Sequence, residues 1–289
     1  MLHKNQSNDM PGVAAARWYQ YGVAGPKKQI LLFPTRDAIK DQAAMCVHYA
    51  ATRNLINRRT QILCVQRSRA DVPHIAHQIE LLGLTSRTRM HVGALHDLTL
   101  KSVERFDFAC FDFGLIPNKD TAIWMADVFS KNVVDGADLS FGICYKDNWS
   151  ELLHTCRFGY KARFPAYAAH IRKSYGITDP NVLNHVLLFF TIFKDFDFDT
   201  HSELVYDAGQ GPMVALKFTD LKRRETSLDW PSIQDVLAAG QPLWDEQDRR
   251  RQEAIDRRDE KERLRWVARK KLKTVDELAQ APSCDVSPA

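Results

Sequence analysis

The chain has 289 residues, 45% hydrophobic and 26% charged, which is material for one large α/β domain with an appendage or for two small domains. Its longest apolar run, residues 186–190 with Ile192 and Phe193 just beyond, is too short to span a bilayer, and the polar start MLHKNQSND predicts no secretory leader. The expectation is a cytoplasmic protein without a membrane anchor. The net charge of +4 is unevenly placed: Arg249 to Lys273 holds 12 Lys/Arg against 5 Asp/Glu, leaving 28 basic and 31 acidic residues in the remaining body. Six cysteines without a CxxC pair predict reduced structural thiols rather than disulfides, with Cys64, Cys110 and Cys144 inside apolar runs.

Residues 1–28 carry Pro11, Gly12, Gly22, Gly25 and Pro26 among Trp18, Tyr19 and Tyr21, and read as an irregular arm that packs a few rings on the body. QILLF (29–33) is a short apolar strand closed by Pro34-Thr35. In 37–54 the positions Ile39, Ala43, Cys46, Val47 and Ala50 have helical spacing. QILCV (61–65) is a second strand; the helix after it aligns Val72, Ile75, Ile79 and Leu82, with Pro73 in its first turn and Gly83 as terminator. A weaker third strand covers 89–92, and a short helix fits at 98–103. FDFACFDFG then ends a fourth strand (108–111) in Asp112, and a loop with Gly114, Pro117 and Asn118 leads into an amphipathic crossover helix, Gly136 and a fifth strand (139–145).

Two helices follow, at 165–174 and 180–193, the second announced by Asp179 as N-cap and Pro180 in the first turn. Residues 203–206 and 213–218 flank Gly209-Gln210-Gly211-Pro212 and predict a β-hairpin. A short helix at 230–239 and a charged segment at 245–280 close the chain. Strands alternating with helices imply a doubly wound, mostly parallel α/β sheet of seven strands, ending in an antiparallel hairpin and followed by a charged C-terminal helix. The expected organisation is an N-terminal arm (1–28), an α/β domain (29–220) and a basic helical extension (221–289).

Five βα-type strands followed by a terminal hairpin resemble the order of class I S-adenosylmethionine-dependent methyltransferases, over about residues 28–220. FDFACFDFG is similar to that family's fourth strand, DGADLSFGICY to its fifth, and YDAGQGPMVALKF resembles the terminal hairpin of methyltransferase-like proteins carried by phages and mobile elements. The resemblance implies that one hairpin strand inserts antiparallel into the sheet. It also implies a cofactor lying over Pro34, Thr35 and Asp37, over Gln66, and over Gly93 and Ala94. The residues at those places depart from the family. The turn Pro34-Thr35-Arg36-Asp37 has no glycine for close backbone approach. Gln66-Arg67 stands where an acidic residue bonds the ribose, and Ala94 where an Asp contacts adenine, with His96 and Asp97 slightly later. S-adenosylmethionine is therefore expected to bind weakly or not at all.

Asp112 sits where open α/β sheets keep their chemistry, at the carboxyl end of a strand. It is either a general base, or a group bonding a substrate amine, or a carboxylate that caps the loop after it. Asn118, after Pro117, loosely resembles the Asp/Asn-Pro loops of amino-methyltransferases, without their aromatic. Thr35 and Asp37 have the alternative role of capping the next helix. His74 and His77 share a helix face but lack a third ligand at metal-site spacing, so no metal is expected, and Ser130, Ser140 and Ser150 have no nucleophile-elbow context.

The extension has two readings. Arg249, Arg250, Arg251, Arg257, Arg258, Arg269, Lys270, Lys271 and Lys273 form a phosphate-contacting strip for nucleic acid, or pairs such as Glu253/Arg257 and Asp259/Arg263 lace a solvated helix. The function these features suggest is a divergent methyltransferase-like protein acting on nucleic acid or on a protein bound to it. The alternative is a non-catalytic nucleic-acid-binding or assembly protein that keeps the fold.

Overall fold

β-Branched and aromatic residues on short apolar runs make strands that are buried on both sides, and such strands pair in parallel. In the computed structural model, residues 16, 18–23, 25–33, 55–112, 118–144, 164–207, 212–225 and 229–279 are described. The strands are β1 (Gln29–Leu32), β2 (Gln61–Gln66), β3 (Thr88–Val92), β4 (Phe106–Asp112), β5 (Val133–Cys144), β6 (Phe196–Asp207) and β7 (Pro212–Arg223). They form one seven-stranded sheet in the order β3-β2-β1-β4-β5-β7-β6. Strands β1 to β5 are parallel to one another, and β7 runs antiparallel between β5 and β6. The expected parallel set and the antiparallel insertion are both present, with β1 central rather than at an edge.

The period-2 alternation of each strand sorts its side chains onto two faces. Leu31, Leu63, Val65, Ala109, Phe111, Leu139, Phe141, Leu216 and Phe218 belong to one core, and Ile30, Leu32, Ile62, Cys64, Phe108 and Cys110 to the other. Helix α1 (Val72–Leu81) covers the second face through Ile75 and Ile79. Gly83, at φ 67°, takes the left-handed conformation that ends α1, and its N–H bonds the Glu80 carbonyl.

The first face is covered by α2 (residues 119–132), by α3 (Phe164–Tyr175) and by α4 (Pro180–Ile192). Helix α2 begins as Lys119–Trp124, widens into a π-helical turn at Met125–Phe129 and finishes at Ser130–Asn132. Asp179 caps α4 as its sequence position predicts, accepting from the Val182 N–H at 3.4 Å. Helix α4 is buried on every side from Val182 to Ile192, including its polar Asn184, His185 and Thr191, and its Phe189 stacks on Phe218 of β7 with ring centroids 3.8 Å apart. Trp230, Ile233, Val236 and Leu237 complete this core.

Several boundaries differ from the sequence expectation. The short helix expected at 98–103 is replaced by a single 3-10 turn at Leu95–Asp97, and the Trp124 indole N–H instead bonds the Leu98 carbonyl at 2.8 Å. Strand β6 starts at Phe196 rather than 203, because Phe198 packs on Phe190 of α4 and Tyr175 of α3 and Phe196 packs on Phe193 just beyond α4. The helix expected at 230–239 is the first part of α5 (Ile233–Ala279), which contains Pro242. The chain divides into two compact units, residues 1–239 and 240–289. The helix expected at 37–54 and the turn residues Gly209 to Gly211 lie outside the described residues.

Two irregularities on either side of β5 are tied together by one carboxylate. Opposite β4 the register jumps from Phe106↔Val133 to Phe108↔Asp138, and Gly136 takes φ 80° within the extra length of β5. Opposite β7 it jumps between Ala137 and Leu139, and Asp220 on the bulged β7 takes φ 53°. Asp138, 5% exposed, lies at this junction. Its Oδ1 accepts the Asp220 N–H at 2.9 Å and its Oδ2 meets Lys27 Nζ at 2.5 Å. Lys27 is itself buried, and its carbonyl accepts from the Thr60 hydroxyl at 2.6 Å. The arm before β1 also packs on the sheet. Tyr21 lies against Phe108, and Lys217 of β7 donates to the Gly22 carbonyl at 2.9 Å, its ammonium 4.5 Å from the centre of the Tyr19 ring.

On β6, burial pushes the His201 imidazole down from 6.5 to about 4, and burial with the nearby Asp179 carboxylate pushes Glu203 up. Two outcomes follow from these contacts. Replacing Lys27 by Met should cost about 3–5 kcal/mol, read from the urea midpoint, because it strands the buried Asp138 carboxylate; Lys27→Met with Asp138→Asn should recover part of that loss. The unfolded chain protonates His201 near 6.5 and the folded chain only near 4, so this residue's contribution is present above pH 6.5 and is lost as pH falls to 4, to a limit of about 3 kcal/mol. A His201→Gln variant should show a shallower fall in stability over that pH window than the parent protein.

Candidate cofactor and acceptor site

Because β1 to β4 are parallel, their carboxyl ends share one edge of the sheet, and the strand order reverses between the adjacent β1 and β4. Ligands of open α/β sheets bind at such a reversal. Gln66 ends β2 and is in register with Val92 at the end of β3. The Gln66 carbonyl accepts the Gly93 N–H at 3.0 Å, which turns the chain away from β3. The Gln66 side chain is largely buried, and its Oε1 accepts the Ser68 N–H at 2.9 Å. His91 Nε2 is 2.9 Å from the Ala94 carbonyl oxygen. A Cβ on Gly93 would lie 3.3 Å from the same imidazole nitrogen. His91, Gly93 and Ala94 thus form one tight turn beside Gln66. His91 had no signal in the sequence, because β3 is an edge strand whose residues are only partly buried and show no clean alternation.

Ala94 is extended and opens the 3-10 turn whose Leu95 is buried, while His96 and Asp97 remain at the surface 3.9 Å apart. The backbone of Asp112 ends β4 opposite Gly142; its side chain lies outside the described residues, as do Pro34, Thr35, Asp37, Gly114 and Pro117. Asn118 is the N-cap of α2: its Oδ1 accepts the Thr121 N–H at 2.9 Å. The described residues therefore bring Gln66, Gly93 and Ala94 together on one edge and give Asn118 a capping bond.

The fit to S-adenosylmethionine is partial. The turn after β3 offers backbone groups in a close approach, but the end of β2 offers a carboxamide already bonded to its own loop where a carboxylate would take two hydroxyls. Among the described residues no three His, Cys, Asp or Glu side chains are placed to hold a metal ion. His77 instead faces Glu80 at 3.8 Å.

In the second unit the basic residues are heavily paired along the helix. Arg249 meets Glu246 at 2.8 Å and also Glu253, and Arg250 meets Glu246 at 2.7 Å. Arg251 lies 3.6 Å from Asp248, and Arg258 3.7 Å from Asp259. Hydrogen bonds from Arg249 and Arg250 lower the Glu246 carboxyl. Arg257 is exposed, and the side chains of Arg269, Lys270, Lys271 and Lys273 lie outside the described residues. Exposed pairs of this kind contribute little stability, and they leave the arginines able to exchange a carboxylate for another anion.

The strand order 3-2-1-4-5-7-6 with an antiparallel seventh strand is the class I methyltransferase fold, and the protein has it. No family model matches the chain, and no curated protein sequence matches it. Similar solved structures include the N-methyltransferase NodS from Bradyrhizobium japonicum in complex with S-adenosyl-L-homocysteine, 10% identical, covering 76% of this chain and 93% of that one at a TM-score of 0.46. Another is the O-methyltransferase TomG from Streptomyces achromogenes in complex with SAM, 11% identical, covering 74% and 86% at a TM-score of 0.40. No helix among the described residues is long and apolar enough to cross a membrane.

The capping bond makes a direct test of Asn118. Asn118→Ala should lower stability by about 1 kcal/mol and Asn118→Asp should not, measured as shifts of the urea midpoint. A site role would be separate, visible as a change in acceptor binding by the stable Asp variant.

Proposed function

We propose that this is a divergent class I S-adenosylmethionine-dependent methyltransferase-like protein acting on nucleic acid or on a nucleic-acid-associated protein. The observation that carries the reading is the reversal of strand order between β1 and β4. It gathers Gln66, Gly93-Ala94 and the end of β4 at Asp112 on one edge, where this fold keeps its cofactor and acceptor. In this scheme the cofactor lies over Pro34 to Asp37, Gln66 and Gly93-Ala94, and Asp112 with Asn118 faces the acceptor. The basic strip of the C-terminal helix contacts phosphates. Binding of the cofactor is weak, because Gln66 supplies no carboxylate and its Oε1 already accepts the Ser68 N–H.

The engaged carboxamides of Gln66 and Asn118 also favour a second reading, a nucleic-acid-binding or assembly protein that keeps the fold without turnover. Titration calorimetry with S-adenosylmethionine separates the two. Ligand at 100 times its Kd would stabilise the protein by about 2.7 kcal/mol, so a degenerate site should give a negligible thermal shift at micromolar cofactor. A shift of several degrees would identify an intact cofactor site. Gln66→Glu restores the missing carboxylate and should strengthen binding about tenfold, the equivalent of one charge-assisted hydrogen bond at the low end of its range; unchanged affinity would remove Gln66 from the site.

A further inference from the structure

The charge count of the sequence puts all excess positive charge in the C-terminal segment, yet the fold collects a second basic region from scattered residues. It lies at the amino ends of the parallel strands, the edge opposite the candidate site. Arg58 and Arg59 occupy the turn before β2, and Arg87 and Arg89 flank the start of β3. Lys101 and Arg105 precede β4, Lys28 precedes β1, and Lys131 closes α2 just before β5.

Hydrogen bonds show these residues to be contiguous. Arg87 donates to the Asn57 carbonyl, which opens the turn that carries Arg58 and Arg59. The Arg105 N–H bonds Gln29 Oε1 at 2.9 Å, and its guanidinium reaches the Lys131 carbonyl. Asn132 donates to the carbonyls of Lys101 and Glu104. A surface cleft lined by Gln29, Gln61, Ser86, Arg87, Arg89 and Glu104 runs into the region.

The local carboxylates are already used. Glu104 pairs with Arg89 at 2.6 Å, and the two oxygens of Asp107 accept the N–H groups of Lys28 and Gln29 at 2.7 and 2.9 Å. Among the described residues no carboxylate pairs with Arg58, Arg59, Lys101 or Lys131, and all four are exposed. Five adjacent strand starts at about 4.8 Å spacing make a row of cations about 20 Å long. That matches a linear polyanion better than a compact one: about six successive phosphates of one duplex strand rise over the same length. Arginine predominates in the row, and its planar fork suits phosphate oxygens. A protein partner would call for an apolar centre with charges at the rim; here cations predominate, and the exposed Val103 stands in sequence between Lys101 and Arg105.

We propose that this edge of the sheet is a docking surface for the phosphate backbone of nucleic acid, distinct from the C-terminal helix and about 20 Å, one strand length, from the candidate site. It rests on the nucleic-acid part of the proposed function and not on cofactor binding. It would anchor the polymer rather than present a base for chemistry.

The test uses the full-length chain, with a labelled duplex DNA of about 20 base pairs and a single-stranded RNA of equal length as probes, titrated at several salt concentrations. Arg58→Glu with Arg59→Glu and Lys101→Glu should weaken binding at least tenfold and make the log–log salt slope shallower by about 2 to 3. The neutral set Arg58→Gln, Arg59→Gln and Lys101→Gln should give a smaller loss in the same direction, and it carries the test if charge reversal prevents folding. Arg257→Glu with Arg258→Glu reports the helix separately. Unchanged affinity and slope in both patch variants would overturn the proposal, while loss confined to the helix variant would leave the helix reading standing. Failure of the parent chain to bind either probe at about 50 mM salt would overturn it too. So would patch-dependent binding of polyglutamate with no binding of nucleic acid, which would identify an acidic protein partner instead. Calorimetry with S-adenosylmethionine is unaffected by any of these results, so the cofactor reading stands or falls apart from this surface; loss of binding in the patch variants alone, with the parent chain binding, tests the surface apart from the nucleic-acid reading.

Discussion

The free edge of β5 is the constraint on which the remaining structure hangs. One side of β5 is satisfied by the parallel β4, and its other row of amides and carbonyls is buried beneath α4, where an unpaired backbone group costs as much as a lost hydrogen bond. Strand β7 satisfies that row from Ala137 to Cys144, and β6 covers β7 in turn. The antiparallel direction places the bulge of β7 opposite Asp138, and the buried Lys27 neutralises the carboxylate that stitches the bulge. Sheet closure, the arm before β1 and the packing of α4 are therefore one interlocked problem rather than three.

Parallel strands also give the sheet two chemically different edges. At the carboxyl ends the chain makes tight turns, with Gln66 and Gly93 joined through a backbone bond and Ala94 held by His91. At the amino ends it makes exposed turns rich in arginine, with the few carboxylates committed to backbone amides or a single ion pair. A small ligand is suited to the first and an extended polyanion to the second. In the proposed scheme the same directionality that builds the sheet would keep a cofactor and a polymer on opposite edges.

Much of the sheet was legible in the sequence because the signal is local. ILL, ILCV and FACF are short apolar runs closed by polar or turn residues, and such runs become buried parallel strands wherever they meet. The start of α4 was legible for the same reason, through Asp179 and Pro180. The first half of β6 was not, since FDFDT reads as a polar alternation until Phe196 packs on Phe193 and Phe198 meets Phe190 and Tyr175. The role of Asp138 was equally hidden: an acidic residue inside a strand carries no mark that its partner lies at Lys27. The basic edge was invisible because it is assembled from five separate strand starts. At the candidate site the positions of Gln66, Gly93 and Ala94 followed from strand ends, but the bonds that occupy Gln66 and Asn118 could only come from three-dimensional neighbours.

The place of β7 has a consequence for how the protein is made. Pro212, where β7 begins, follows the end of β5 at Cys144 by 68 residues. At about 5–20 residues per second of synthesis, β5 waits roughly 3–14 s with its buried-to-be edge uncovered, while the apolar α4 emerges beside it. An uncovered edge next to an apolar helix is a template for joining another chain. The nascent protein is thus most vulnerable to misassembly in the seconds before its last strand appears, and a cell that makes it in quantity has to shield that interval.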